Sequence, residues 1–239
     1  MKPIKVRGLV LREYEAGESD KRLVIFCKGQ GRLLVYARGA RKPSSKFMAA
    51  AQLFTYADFV LTEGRNFYAL AQAQIIESFY PLREDYDRLM AAHLVAEVCE
   101  KTLWDNLESD DLLLLALKSL SVLAKAKEKP VQVVSVFLFR FFDVYGLRPQ
   151  TGSCIICGEA MPTATVAAIC AEGLTCEAHK PAMHRRISHD AVYALQHVLD
   201  SELTQAYKFA ASDKILNEMY NAAMLIWKSN FDWELRSHF

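Results

Sequence analysis

Hydrophobic positions divide this chain into two regimes. Up to about residue 79 they alternate or form short runs, and from Tyr86 onward they recur every three to four residues. The first regime predicts five strands. Ile4–Tyr14 is apolar, but its alternation changes phase near Gly8, as a bulge or bend would cause. Leu23–Cys27 is a continuous apolar run, Lys28-Gly29-Gln30-Gly31 is a turn, and Arg32–Ala37 continues as a strand. Leu53–Thr62 and Phe67–Ile76 flank Glu63-Gly64-Arg65-Asn66, a hairpin signal. Five strands with a long bent leader fit a small closed barrel such as the OB-fold.

Pro81 ends that segment. Tyr86, Met90, Leu94 and Val98 are spaced by four, and Val95 and Cys99 broaden the stripe of a first helix. A second runs from about Asp110 to Ala126, with acids at its positive end and Lys125, Lys127 and Lys129 at its negative end. A third starts at Pro130, a favoured first-turn residue, and stops near Gly146. Its Phe137, Phe139, Phe141 and Phe142 are too many for one stripe, so it is expected to be buried on most sides. Helices after Ser188 and after Ser212 close the chain. The fold class expected is α+β: an OB-fold barrel over 1–80, a helical domain over 81–149 and 186–239, and a cysteine-containing insert over 150–185.

Composition narrows the picture. With 239 residues and 52% hydrophobic content, one or two true cores can form. No run approaches the roughly 18 to 20 apolar residues of a membrane span. The N-terminus enters a strand without a hydrophobic signal core, which predicts a cytoplasmic protein. Six cysteines then argue for free thiols and metal ligands, not disulfides. The net charge of +1 conceals an asymmetry. Residues 1–83 carry 14 Lys and Arg against 7 Asp and Glu, a surplus of +7, and residues 84–239 carry 15 against 21, or −6. A basic front third is a candidate polyanion surface, with a solvated face lacking any partner as its alternative.

The insert carries metal-type spacing. Cys154-x-x-Cys157 precedes Gly158, which can take the left-handed backbone of a knuckle with amides pointing at sulfur. Eighteen residues on, Cys176-Glu177-Ala178-His179 offers a second two-ligand turn. Four such donors define a tetrahedral structural zinc site. Cys170 is a candidate to replace His179, whose paired spacing is the more symmetric. Cys27 and Cys99, on apolar runs, read as small core residues. His93 reads as a packed helix residue; His184 and His189 are at most spare ligands. A catalytic zinc keeps an open position, which four ligands would fill. The deaminase pattern is missing, since no His-x-Glu precedes Cys154 and Ser153 stands where it needs Pro. P-loop, nucleophile-elbow and Rossmann motifs are missing too. No catalytic residue is expected.

Arg38, Arg41, Lys42 and Lys46 fall within nine residues of one strand-connecting loop, with Lys21 and Arg22 opening the second strand. Phosphates reward such grouping because each neutralised charge releases condensed counterions. Tyr36, Phe54, Tyr56, Phe67 and Tyr68 are candidates to stack bases, although small barrels also need aromatic filling. No base-reading motif is present, so binding should be indifferent to sequence.

Several segments, in order, resemble the bacterial recombination mediator family RecO. They are Gly8–Leu11 with Tyr14, Val35-Tyr36-Ala37-Arg38-Gly39-Ala40-Arg41 with Ser45, Leu53–Tyr56, Glu77–Leu82 and His93–Glu97. Tyr145–Pro149, Cys154-x-x-Cys157-Gly158 and Gly173–Cys176 continue the likeness, which covers roughly residues 4–180. The resemblance implies non-catalytic work in recombinational repair: binding single- and double-stranded DNA and annealing complementary strands. It also implies helping RecA, together with RecR, to replace single-stranded-DNA-binding protein on gapped DNA. The C-terminal tail of that binding protein would dock on the helical part, and the protein would be nucleoid-associated. Two departures stand out: His179 sits where many relatives have a fourth Cys, and Cys170 is extra. The rival readings are a zinc-dependent nucleic-acid-modifying enzyme and a zinc-containing adaptor without DNA binding.

Overall fold

The computed structural model describes residues 3–64, 67–105, 107–125, 127–160 and 167–236. The chain forms two compact units, Met1–Ala124 and Lys125–Phe239. In the first, five strands close into a barrel: β1 (Ile4–Ala16), β2 (Asp20–Cys27), β3 (Gly31–Ala37), β4 (Tyr56–Glu63) and β5 (Tyr68–Glu77). Their order is β1-β2-β3-β5-β4, and β1 also pairs with β4. Every pairing is antiparallel except the β3–β5 closure, through Val35–Tyr68 and Tyr36–Ala69. This is the expected OB-type barrel, and closure removes the exposed sheet edges. Inward residues such as Val10, Ile25, Val35 and Phe59 are fully covered, and burying each stabilises by about 1.5–3 kcal/mol.

Two details differ from expectation. The bend in β1 lies at Leu11, not Gly8: Val10 faces Ile25 and Arg12 faces Val24, so Leu11 is the extra residue. Gly8 instead lets β2 approach, since a Cβ there would lie 2.7 Å from Ile25 Cγ2 and from Phe26 O. The fourth strand begins at Tyr56, not Leu53, because Phe54 has φ 65° and turns the chain. Phe54 and Thr55 nonetheless exchange backbone hydrogen bonds with Val10, both at 2.9 Å, which fixes the entry to β4 beside the bulge. In the hairpin signal Glu63–Asn66, Arg65 and Asn66 lie outside the described residues, as does Ala126 at the expected end of the second helix.

Residues 38–55 are turns, not a free loop. Ala40, Phe47 and Ala51 belong to the barrel core, which pins the segment while its charged residues face water. After a 3-10 turn at Tyr80–Glu84, helix α1 (Tyr86–Thr102) starts where the Asp85 carboxylate accepts from the Arg88 amide at 3.0 Å. Its buried face starts a turn later than the spacing suggests: Tyr86 is 74% exposed, whereas Leu94, Val95, Val98 and Cys99 are covered. Helix α2 (Asp110–Lys125) follows. Arg12 meets Glu100 at 3.1 Å, Arg32 meets Asp105 at 2.7 Å, and the Gly29 amide donates to Asp110 at 2.7 Å, tying these helices to the barrel. His93 packs edge-on against Phe54, and desolvation lowers its pKa.

The second unit holds α3 (Pro130–Val144), α4 (His189–Asp200), α5 (Asp213–Asn230) and a small sheet. From Gln132 to Phe142 every α3 residue except Arg140 is buried, as the phenylalanine density predicts. Phe141 packs on Trp227, and Trp227 stacks on Phe231 with centroids 4.2 Å apart. Ser188 and Ser212 cap α4 and α5 through the Ala191 and Ile215 amides. The sheet, ordered β7-β6-β8, joins β6 (Ala167–Ile169), β7 (Leu174–Thr175) and β8 (Arg185–Ile187). Nothing in the hydrophobic pattern announces strands this short. Among the described residues no helix is long and apolar enough to cross a membrane.

Candidate metal centre and nucleic-acid interface

The knuckle forms because the chain folds back on itself. The Gln150 amide donates to Glu172 O at 2.9 Å, the Leu174 amide to Gln150 O at 2.8 Å, and the Ile155 amide to Leu174 O at 3.0 Å. These bonds carry Cys154 and Cys157 to the β7 end, where Cys176 begins. The β6–β7 hairpin turns at Cys170–Gly173, and Gly173 has φ 147°. A Cβ there would meet Gln150 O at 2.3 Å. Gly173→Ala is therefore expected to pry the two ligand pairs apart and weaken metal binding by roughly 10–100-fold, the range for disturbed supports of metal ligands. A competition titration against a chromogenic zinc chelator would measure it, and unchanged affinity would show that the segment relaxes freely.

Cys154, Cys157, Cys176 and His179 present ligand atoms that all lie within 4.8 Å of one another. Cys176 Sγ and His179 Nδ1 are 3.1 Å apart. Gly158 has φ 73° and returns its amide to Cys154 O at 2.9 Å, closing the expected left-handed turn. Backbone amides of Cys157, then Cys176, hydrogen-bond the Cys154 thiol and pull it down to about 6. Three thiols and one imidazole suit a borderline-soft tetrahedral ion, so the donor set fits zinc. Cys170 lies outside this group. Its Sγ donates to Glu172 Oε2 and Gly173 O, both at 3.3 Å, and burial raises its pKa. His184 Nδ1 lies 2.7 Å from Pro181 O, and His189 lies beside Asp190. Cys27 and Cys99 are buried, and burial pushes Cys27 up to about 12, as befits an inert core thiol.

On the barrel, Arg22, Arg38, Arg41, Lys42 and Lys46 are all exposed. The side chains of Arg22, Arg38 and Lys42 carry no hydrogen bond or ion pair among the described residues. Arg41 pairs with Glu15 at 2.9 Å and donates to Gly17 O and Glu18 O. Lys46 reaches Ala71 O at 3.4 Å and lies over the Phe47 ring. Lys21 differs: its side chain is only 12% exposed, it pairs with Glu13 and it donates to Ala51 O at 3.2 Å. It braces the 38–55 segment from beneath.

Register groups Arg22, Tyr36 and Phe67 and adds Tyr14, Leu34 and Asp20, which the sequence did not single out for binding. Arg22 sits opposite Tyr14 on one side and Tyr36 on the other. Tyr36 in turn meets Phe67, with centroids 5.6 Å apart. These four, with Leu34, line a groove of about 340 Å³ on the outer face of the barrel. Tyr14 is 40% exposed and Phe67 49%, enough to leave ring surface open, while Phe54 is buried against His93 and Tyr68 packs on the barrel core. The Arg12 guanidinium lies 4.8 Å from the Tyr14 ring centroid. Asp20 also enters here: it accepts from the Tyr36 hydroxyl at 2.5 Å and the Gly39 amide at 2.6 Å. Those bonds, the tyrosine's first, hold its carboxyl below the usual range. The hairpin turn at residues 17–19 sets Tyr14 across from Arg22, and that spacing was the available signal for Tyr14.

A basic-looped OB barrel followed by a helical unit bearing a Cys3His cluster defines the architectural class: a two-part protein with a cationic barrel segment and a candidate metal knuckle. Comparison with known proteins narrows the class. Residues 1–79 match the family described as recombination protein O, N terminal, and residues 83–237 match recombination protein O, C terminal. A DNA repair protein RecO of Acetivibrio thermocellus is 32% identical over 236 residues, covering 97% of this chain and 93% of the relative. One of Desulfitobacterium hafniense is 28% identical over 237 residues, covering 96% and 86%. One of Alkaliphilus metalliredigens is 36% identical over 156 residues, covering 65% and 63%. The chain belongs to the RecO family of DNA repair and recombination proteins.

Proposed function

We propose that this protein is a non-catalytic recombination mediator that binds single- and double-stranded DNA through its barrel and anneals complementary strands. The observation that carries the reading is the outer barrel face, where an open row of rings, Tyr14, Tyr36 and Phe67, adjoins the basic segment Arg38–Lys46. Cations neutralise backbone phosphates and rings stack unpaired bases, and neither reads sequence. Arg22, Arg38, Arg41, Lys42 and Lys46 make the phosphate contacts, and Lys21 holds their segment in place. Residues 1–80 serve as the nucleic-acid-binding domain. Residues 81–149 and 186–239 serve as a helical domain that receives the C-terminal tail of single-stranded-DNA-binding protein. Residues 150–185 form a zinc insert. RecR is the expected partner in loading recombinase on gapped DNA, and the protein works in the cytoplasm on the nucleoid.

The insert holds one structural zinc per chain through Cys154, Cys157, Cys176 and His179. The ion supplies a cross-link between two turns, not a reaction centre, because four protein donors complete a tetrahedral shell. The test is a strand-annealing assay with complementary oligonucleotides. The protein is expected to speed annealing and to leave both strands chemically intact. A cleavage or deamination activity that copurifies with it and disappears in Cys157→Ser would overturn the reading.

A further inference from the structure

Asp20 lies beside the basic Arg38–Lys46 segment, and both of its oxygens are engaged. Oδ2 accepts from the Tyr36 hydroxyl at 2.5 Å. Oδ1 accepts from the Gly39 amide at 2.6 Å and the Ser19 hydroxyl at 3.2 Å. Tyr36 belongs to the ring row, and Gly39 follows Arg38 in the basic segment. The same turn grips that segment again: the Arg41 amide donates to Ser19 O at 2.9 Å, and its guanidinium reaches Gly17 O and Glu18 O. One carboxylate thus joins the ring that would stack a base to the backbone that carries the phosphate-facing cations. Within one nucleotide the sugar keeps base and phosphate within a limited range of separations. A surface that engages both at once gains from having ring and cations already in register.

We propose that Asp20 is a positioning residue for single-stranded DNA, holding the Tyr36 ring in register with Arg38–Lys42. The proposal rests on the reading of the barrel face as the DNA site. It runs against simple electrostatics, by which an acid facing a polyanion only weakens binding and its removal strengthens it.

The variants that separate the two are Asp20→Asn, which cannot accept both hydrogen bonds, and Tyr36→Phe, which keeps the ring and loses only the tether. Folding of each is checked by circular dichroism. Affinity for a single strand and for a duplex is measured across a salt series. Ring placement is read by photocrosslinking a 5-iododeoxyuridine oligonucleotide at saturating protein, with the crosslinked residue mapped. In Asp20→Asn, single-strand affinity is expected to fall roughly fivefold or more, the lower end of one base–ring stack. The salt slope should be unchanged, duplex binding should be unchanged or tighter, and the crosslink yield at Tyr36 should drop. Tyr36→Phe should show a smaller loss of the same kind, with the crosslink weakened at position 36.

Asp20→Asn that binds single strands as tightly as the parent, with the crosslink intact, overturns the proposal and leaves Asp20 as a bare charge. An equal loss on single strands and duplex with a shallower slope also overturns it, because Asp20 would then only support the loop fold. Parent protein without salt-dependent DNA binding removes the barrel-face reading itself, and this proposal with it.

Discussion

Alanine in place of Arg38, Arg41, Lys42 and Lys46 together is expected to leave a folded protein that has lost most of its salt-sensitive grip on DNA. Each lost phosphate contact flattens the salt slope by roughly 0.7 on single strands and about 0.9 on duplex. Four contacts give about 2.8 and about 3.6. If the non-electrostatic part of binding is unchanged, the single-strand value means a loss of roughly 200-fold at 0.15 M salt. Phosphates carry no base information, so all sequences should weaken alike. Folding should survive because all four side chains point outward and the core residues Ala40 and Phe47 remain. Arg41 leaves an exposed pair with Glu15, and such pairs are worth about 0–1 kcal/mol. For the same reason Arg41 can exchange Glu15 for a phosphate at little cost. Annealing should fall in parallel. A salt titration with both DNA forms, alongside circular dichroism, measures this. Unchanged affinity and slope in a folded variant would place the DNA path elsewhere.

Cys154→Ser is expected to cut zinc from one ion per chain to almost none and to unfold residues 150–185 before the rest. The thiol is 1% exposed and held by the Cys157 and Cys176 amides, and a serine hydroxyl does not replace it as a zinc ligand. The strands among the described residues of this segment are short. They are three, two and three residues long, whereas structural zinc contributes on the order of 10–16 kcal/mol of apparent binding energy in small zinc-finger peptides. Metal content by chromogenic assay and hydrogen exchange across 150–185 provide the readouts, with the barrel amides as the internal control. Cys170→Ser should keep its zinc and His179→Ala should lose most of it. The reverse result would move the fourth ligand to Cys170.

The candidate metal ligands show how far local pattern reaches. Spacing alone presented Cys154, Cys157 and Cys176, but it left His179 and Cys170 as rivals. The choice depends on the β6–β7 hairpin, which turns the Cys170 thiol toward Glu172 while Cys176 and His179 meet the first pair. That hairpin is held by backbone bonds between Gln150 and residues 172–174, contacts more than twenty residues apart in sequence. Its strands are too short to show any hydrophobic period.

The barrel strands and the long helices were legible because their signals are local. Alternation, a proline at 130 and serines at 188 and 212 each act on residues within a turn or two. The loop cations were legible as well, since charge clustering needs no fold. What a side chain does once folded was not legible. Lys21 and Arg22 are neighbours with equal charge, yet β-strand alternation turns Lys21 to Glu13 and Ala51 and leaves Arg22 on the open face. Tyr14, Arg22 and Tyr36 became one row only through antiparallel register across three strands, and Asp20 became a tether only because β3 returns beside the start of β2. By itself the sequence determined which segments form the barrel strands and the long helices, where cationic charge gathers and which three sulfurs have metal-type spacing. Only the tertiary structure decided which of these groups meet, because register and long-range pairing are set by the closure of the whole barrel and by hairpins remote from the residues they position.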